Sequence, residues 1–156
     1  MSEKFGCTVG LKSPAHITII PPFWMEEEKE TELLNAVDII SREVTSFSVV
    51  TNDFSAFKPR TIFIDVELNE KLNEVKILSD AFFKQQPDYK IKIDNRPFHP
   101  HITIATRDLH KKSFYEAWSI FENKIFKEEW IATGLSVLKH NQKNWDVVYT
   151  SQFKNL

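Results

Sequence analysis

The chain has 156 residues, 42% of them hydrophobic, with 20 Lys and Arg against 22 Asp and Glu for a formal net charge of -2. That composition can bury the core of one globular unit, and it excludes the broad basic footprint of a protein that holds extended duplex nucleic acid by counterion release. The one cysteine, Cys7, excludes an internal disulfide, and the absence of a signal peptide or a membrane-spanning apolar run points to the cytoplasm and to no membrane partner.

Only fifteen residues precede the first apolar motif at His16, and within them only Cys7 to Leu11 could form a short strand. Ala15 to Ile20 then alternates apolar and polar residues as a strand does, and Pro21-Pro22 ends it. The acidic run Glu26 to Glu32 leads into Leu33, Leu34, Val37, Ile40 and Val44, a one-sided spacing that predicts a helix over about 28–45 with a solvated acidic start. Phe47 to Phe57 and Thr61 to Leu68 read as strands joined by a turn at Lys58-Pro59-Arg60, and the apolar Thr61 to Val66 suits a central position. Asn69 caps a second amphipathic helix carrying Leu72, Val75, Leu78 and Phe82 and ending near Gln85.

Residues 86–100, with three prolines among polar residues, read as a loop that delivers the chain to a second apolar motif strand beginning at His101. Asp108 is the expected cap of a third helix with Phe114, Trp118 and Phe121 on one face. Trp130 to Lys139 and Trp145 to Phe153 read as a hairpin turning at His140 to Asn144. The order predicts an α+β fold with mostly antiparallel pairing.

Two stretches match: Ala15-His16-Ile17-Thr18-Ile19-Ile20 and Pro100-His101-Ile102-Thr103-Ile104-Ala105, their histidines 85 positions apart. In a strand, each sends its His and Thr to one face and its isoleucines to the other. The separation suits a supersecondary unit with its own helix, and hence two similar lobes. An imidazole, with an ordinary pKa of about 6.5, can take or give a proton near neutral pH, so two across a cleft can divide acid and base work on a phosphodiester. Each threonine hydroxyl can donate to a non-bridging phosphate oxygen as charge builds in the transition state.

One His-x-Thr strand is weak evidence, more often structural than catalytic; two in matching apolar frames are strong. A metal site would need further ligands converging on the pair, and the sequence supplies no good candidates, so neither metal nor cofactor is expected. His99, next to the second motif, is read as a loop residue or a neighbour supporting the site, His110 and His140 as solvated, and Cys7 as a small strand residue.

The paired motifs, together with Ser13-Pro14-Ala15-His16, Pro21-Pro22-Phe23, Phe57 to Ile62 and Trp145 to Val148, resemble the two-histidine (2H) phosphoesterase superfamily of 2'-5' RNA ligases and cyclic phosphodiesterases, in its bacterial branch. The resemblance covers most of the chain. It implies a single domain over 1–156 with two pseudo-symmetric lobes, roughly 1–90 and 91–156 with strands exchanged between them, around a central cleft. It implies His16 and His101 as catalytic and Thr18 and Thr103 as phosphate-binding. Members of the family normally carry a strand and helix before the first motif, so the expectation is either that the first lobe lacks its N-terminal strand or that the sequence begins downstream of the true start, and an unpaired edge would invite self-association.

Phe23 and Trp24, directly after the first motif, are candidates to stack on a nucleobase. Arg60, Arg96 and Arg107 are candidates for phosphate contacts, Arg107 foremost because the resembled family often places an arginine shortly after the second motif. The implied reaction is metal-independent opening of a 2',3'-cyclic phosphate on a nucleotide or RNA end. Cleavage or ligation of 2'-5' linkages is the runner-up, and a non-catalytic module that grasps a nucleotide or RNA terminus is the reading from another class.

Overall fold

A computed structural model of the chain describes residues 5, 7–89, 91–92 and 96–155. Residues 90 and 93–95 of the predicted 86–100 loop lie outside the described residues. Among the described residues, the longer elements follow in chain order: α1 (Glu30–Glu43), β1 (Phe47–Phe57), β2 (Thr61–Val66), α2 (Glu70–Lys84), β3 (His101–Ala105), α3 (Lys111–Phe121), β4 (Glu129–Ala132), β5 (Gly134–His140) and β6 (Trp145–Gln152). The strands form an antiparallel four-stranded sheet in the order β3-β2-β1-β4 and a two-stranded sheet of β5 and β6. The fold is α+β, as the order of elements predicts.

Where local signals are strong, the elements follow them. Asn69 accepts a 2.8 Å hydrogen bond from the Leu72 amide and caps α2. Helix α1 begins after a 3-10 turn at Glu27–Lys29, with acidic side chains in its first turn complementing the helix dipole. Strand β2, with Ile62 and Phe63 fully buried, lies centrally.

Four expectations are corrected. Residues Val9–Lys12 form a 3-10 turn rather than a strand, and the first motif, Ala15 to Ile20, has no regular strand pairing. The predicted strand from Trp130 to Lys139 divides at Thr133: β4 pairs with β1, whereas β5 pairs with β6. Gly134 permits the crossing, because a Cβ there would collide with the Ser151 carbonyl. Asp108 does not cap α3, whose N-cap is His110. Its carboxylate instead accepts the Thr8 and Val9 amides, at 2.6 and 3.0 Å.

The four-stranded sheet therefore takes two strands from each side of residue 90, so a cut there does not divide the sheets. Among the described residues, no further strand pairs with the outer edges of β5 and β6.

Three apolar clusters hold these elements. One joins Val44, Phe47, Val49, Val66, Leu72, Val75 and Phe153, with Ile17, Ile19, Phe98, Ile102 and Leu135 packed against it. A second sets Phe114 and Ala117 of α3 against Ile62 and Ala105 of the sheet, together with Cys7 and Leu109. The third gathers Leu33, Val37 and Ile40 of α1 with Phe83 and Tyr89. Each fully buried large side chain contributes roughly 1.5–3 kcal/mol, so the clusters set the positions of the short motif segments, which have little intrinsic structure of their own.

Candidate active site

The second motif lies on β3, the edge strand beside β2, where His101 pairs with Asp65 and Thr103 with Phe63. Ile102 enters the first core cluster, and His101 and Thr103 are half-buried. The His101 ring rests on Phe63, with centroids 4.8 Å apart, and meets Phe57 edge-on at 5.2 Å.

The first motif reaches a similar disposition without strand pairing. Ile17 and Ile19 enter the cluster that takes Ile102, while His16 and Thr18 are exposed. The alternation of apolar and polar side chains survives because the apolar cluster, rather than a ladder of backbone hydrogen bonds, holds the segment. Burial of alternate isoleucines is common to both motifs; the strand is not.

The histidines share a further geometry. His16 Nδ1 lies 2.7 Å from the Pro14 carbonyl, and His101 Nδ1 lies 2.7 Å from the His99 carbonyl. A carbonyl oxygen can only accept, so in both rings Nδ1 carries the proton and donates. The neutral imidazole then presents an unprotonated Nε2, a base, and the imidazolium an Nε2–H, an acid. Two rings locked alike can serve in either role. Sequence pattern identifies the two histidines but not this shared tautomer, which depends on backbone direction two residues upstream.

The candidate ligand contacts separate. Phe23 packs among Phe83 and Tyr89, with centroids 6.2 and 5.8 Å away, so its ring belongs to the third core cluster. Trp24, by contrast, is 94% exposed. Arg107 is exposed and adopts a left-handed φ of 42° just past β3, a backbone state costly for a side chain with a Cβ and concentrated at functional sites. Arg60 is exposed at the β1–β2 turn.

The sequence leaves His99 open between loop residue and neighbour supporting the site; the structure puts it beside the site. Its Nε2 lies 2.7 Å from Asp65 Oδ1, and its ring meets Phe57 and Phe63 edge-on, each at 5.4 Å. The His99 and His101 rings are 6.1 Å apart. Asp65 gives no sequence signal of its own; only the β2–β3 register reveals it. Among the described residues, no group of three or more His, Cys, Asp or Glu side chains converges as a metal cluster would, and no helix is long and apolar enough to cross a membrane.

The turn before the first motif is fastened to the loop after the second. Burial opposes ionisation of Asp108, but hydrogen bonds from the Val9 and Thr8 amides outweigh it and hold the carboxyl below the ordinary carboxylate range. Gly10 passes so close to β3 that a Cβ there would lie 2.7 Å from the Ile104 carbonyl.

The chain is similar to known proteins in sequence and in fold. A protein of Oceanobacillus iheyensis with a provisional phosphoesterase name is 28% identical over 142 residues, covering 88% of this chain and 78% of that one. A similarly named protein of Geobacillus kaustophilus is 29% identical over 109 residues, 68% of this chain and 58% of its own length. Among solved structures, TT0787 of Thermus thermophilus superposes with a TM-score of 0.70 at 18% identity, covering 90% of this chain and 79% of that one. E. coli LigT complexed with 3'-AMP gives a TM-score of 0.59 at 17% identity, with 89% and 76% coverage; at such identities the likeness concerns the fold. The model of the 2'-5' RNA ligase superfamily matches residues 4–144, and the chain belongs to that superfamily, the two-histidine phosphoesterases.

Proposed function

We propose that the protein is a phosphoesterase that opens 2',3'-cyclic phosphates on nucleotides or RNA ends by acid–base catalysis between His16 and His101, without a metal ion. The observation that carries the reading is the duplicated Nδ1 hydrogen bond, which leaves Nε2 as the proton-transferring nitrogen of both rings. One neutral Nε2 takes a proton from water as the water oxygen bonds to phosphorus. The bond from phosphorus to the 2' or 3' oxygen breaks, and the other ring, as imidazolium, protonates that departing alkoxide. The product is a phosphomonoester, and the two rings have exchanged protonation states.

Thr18 and Thr103, two residues beyond their histidines, donate to the non-bridging oxygens, where charge accumulates. The exposed Trp24 offers a face on which a base stacks, and Arg107 a guanidinium for phosphate. A nucleotide-sized ligand also accords with the 3'-AMP held by E. coli LigT, whose fold this chain shares. The superfamily's description favours 2'-5' linkage cleavage or ligation as a second reading; it uses the same two histidines on a longer substrate.

The test is turnover of 2',3'-cyclic nucleotides, a cyclic-phosphate-ended RNA and a 2'-5'-linked oligomer in excess EDTA. His16→Ala and His101→Ala should each lower the rate about 10²–10⁴-fold, and wild type should show a bell-shaped pH profile belonging to the pair. A wild type that binds these ligands yet converts none would replace the enzyme with a binding module. A rate that only climbs with pH would remove one histidine from its role as acid.

A further inference from the structure

The two histidines make the same hydrogen bond to carbonyls that are held in different ways. In the first motif the acceptor belongs to Pro14, whose ring fixes its own φ near -65°. In the second it belongs to His99, which has no such ring. Pro100, following it, biases His99 toward extended backbone, and the buried Pro100 offers its own carbonyl to the Val66 amide at 3.3 Å. Neither is a hydrogen bond made by His99 itself. What fastens this residue is its side chain: Nε2–H donates to Asp65 on β2, the residue paired with His101 in the sheet, while Phe57 and Phe63 flank the ring.

We propose that Asp65 and His99 form a positioning pair for His101, holding the His99 carbonyl where it keeps the proton of His101 on Nδ1 and leaves Nε2 for the substrate. The Asp65 hydrogen bond ties His99 to the strand that pairs with His101, so the acceptor carbonyl and the ring it orients are held against one neighbour. The pair's exposure supports this role. The side chains of His99 and Asp65 are 48% and 26% exposed, and a polar contact so open to solvent contributes little to folding. Yet it joins the residue that orients His101 to the residue opposite His101. A catalytic group is sensitive to small errors of aim, and partners that only orient such groups commonly govern ten- to a hundredfold of activity, roughly, when removed.

The effect on rate rests on the phosphoesterase reading; the effect on the His101 tautomer does not. The experiment is therefore run in two arms on the full chain. Long-range proton–nitrogen correlation spectra of the imidazoles, recorded in alkaline solution where the rings are neutral, report the tautomer of each histidine. Steady-state kinetics on a 2',3'-cyclic nucleotide report kcat and KM.

In wild type, both His16 and His101 should be Nδ1–H tautomers. In Asp65→Ala, His101 should shift to a mixture while His16 stays unchanged, and kcat should fall about tenfold with KM within about twofold. Asp65→Asn, whose side-chain oxygen can still accept from His99, should retain most of the wild-type tautomer and rate. A wild-type tautomer at His101 in Asp65→Ala would overturn the proposal. So would changes of equal size at His16 and His101, which mark a general loosening, or equal losses in Asp65→Asn and Asp65→Ala, which mark a charge effect. If wild type turns nothing over, the phosphoesterase reading falls and the spectra alone decide the positioning role.

Discussion

The two His-x-Thr segments are near copies in sequence and unlike in structure. The second is a strand whose neighbour β2 supplies the Phe63 ring and the Asp65 carboxylate around His101 and the adjoining His99. The first has no strand pairing, an exposed histidine, and no ring contact to that histidine among the described residues. Both nevertheless turn alternate isoleucines into the apolar core, with Ile17, Ile19 and Ile102 in one cluster and Ile104 in a second, and donate from Nδ1 to the carbonyl two residues upstream. The difference teaches that a strand is only one way to impose this geometry. A side chain folded back on its own backbone, with apolar neighbours buried, is enough to aim the ring.

The sharpest way to break the comparison is through the threonines. Under the proposed mechanism, Thr18→Ala and Thr103→Ala each remove one donor to the transition-state phosphate and should lower kcat by about 10²–10³-fold. Comparable losses would make the segments functional equals. A loss confined to Thr103→Ala would make the first segment a binding element only.

Stability should separate the segments next. Phe63 is fully buried and supports His101, so Phe63→Ala should destabilise the fold by about 3–5 kcal/mol in denaturant titration. His16 has no comparable ring beneath it among the described residues, and its imidazole resonances in the remaining folded population should stay as in wild type.

The smallest effect concerns the fastening between them. Because the carboxyl of Asp108 is held below its ordinary range in the folded chain, its contribution is fully present above the ordinary carboxylate value of about 3.9 and is lost as pH falls through the depressed folded value. Acid should therefore shift the Thr8 and Val9 amide resonances before β3 is disturbed, and Asp108→Asn should abolish that step. If the amides of β3 move together with those of Thr8 and Val9, the fastening and the strand are one cooperative unit.

Several features are fully legible in the sequence. Helix α2 and its Asn69 cap, strands β1 and β2 with the turn between them, and the membership of both histidines in a duplicated motif all rest on signals confined to a few neighbouring residues. Periodicity, capping and turn chemistry act at that range, so the sequence alone determines them. The family resemblance rests on the same local patterns.

What the tertiary structure decided involves partners far apart in the chain. The alternating pattern of the first motif is strand-like, but a strand also needs a neighbour to pair with, and the described residues provide none. The run from Trp130 to Lys139 shows no break in pattern, yet β1 and β6 claim its two ends for different sheets. Asp108 has the chemistry of a helix cap, but the Thr8 and Val9 amides, 100 and 99 positions away, take its carboxylate. Asp65 and His99 meet only through the β2–β3 register. A residue's type states which hydrogen bonds it can make; only the fold decides which partner arrives to make them.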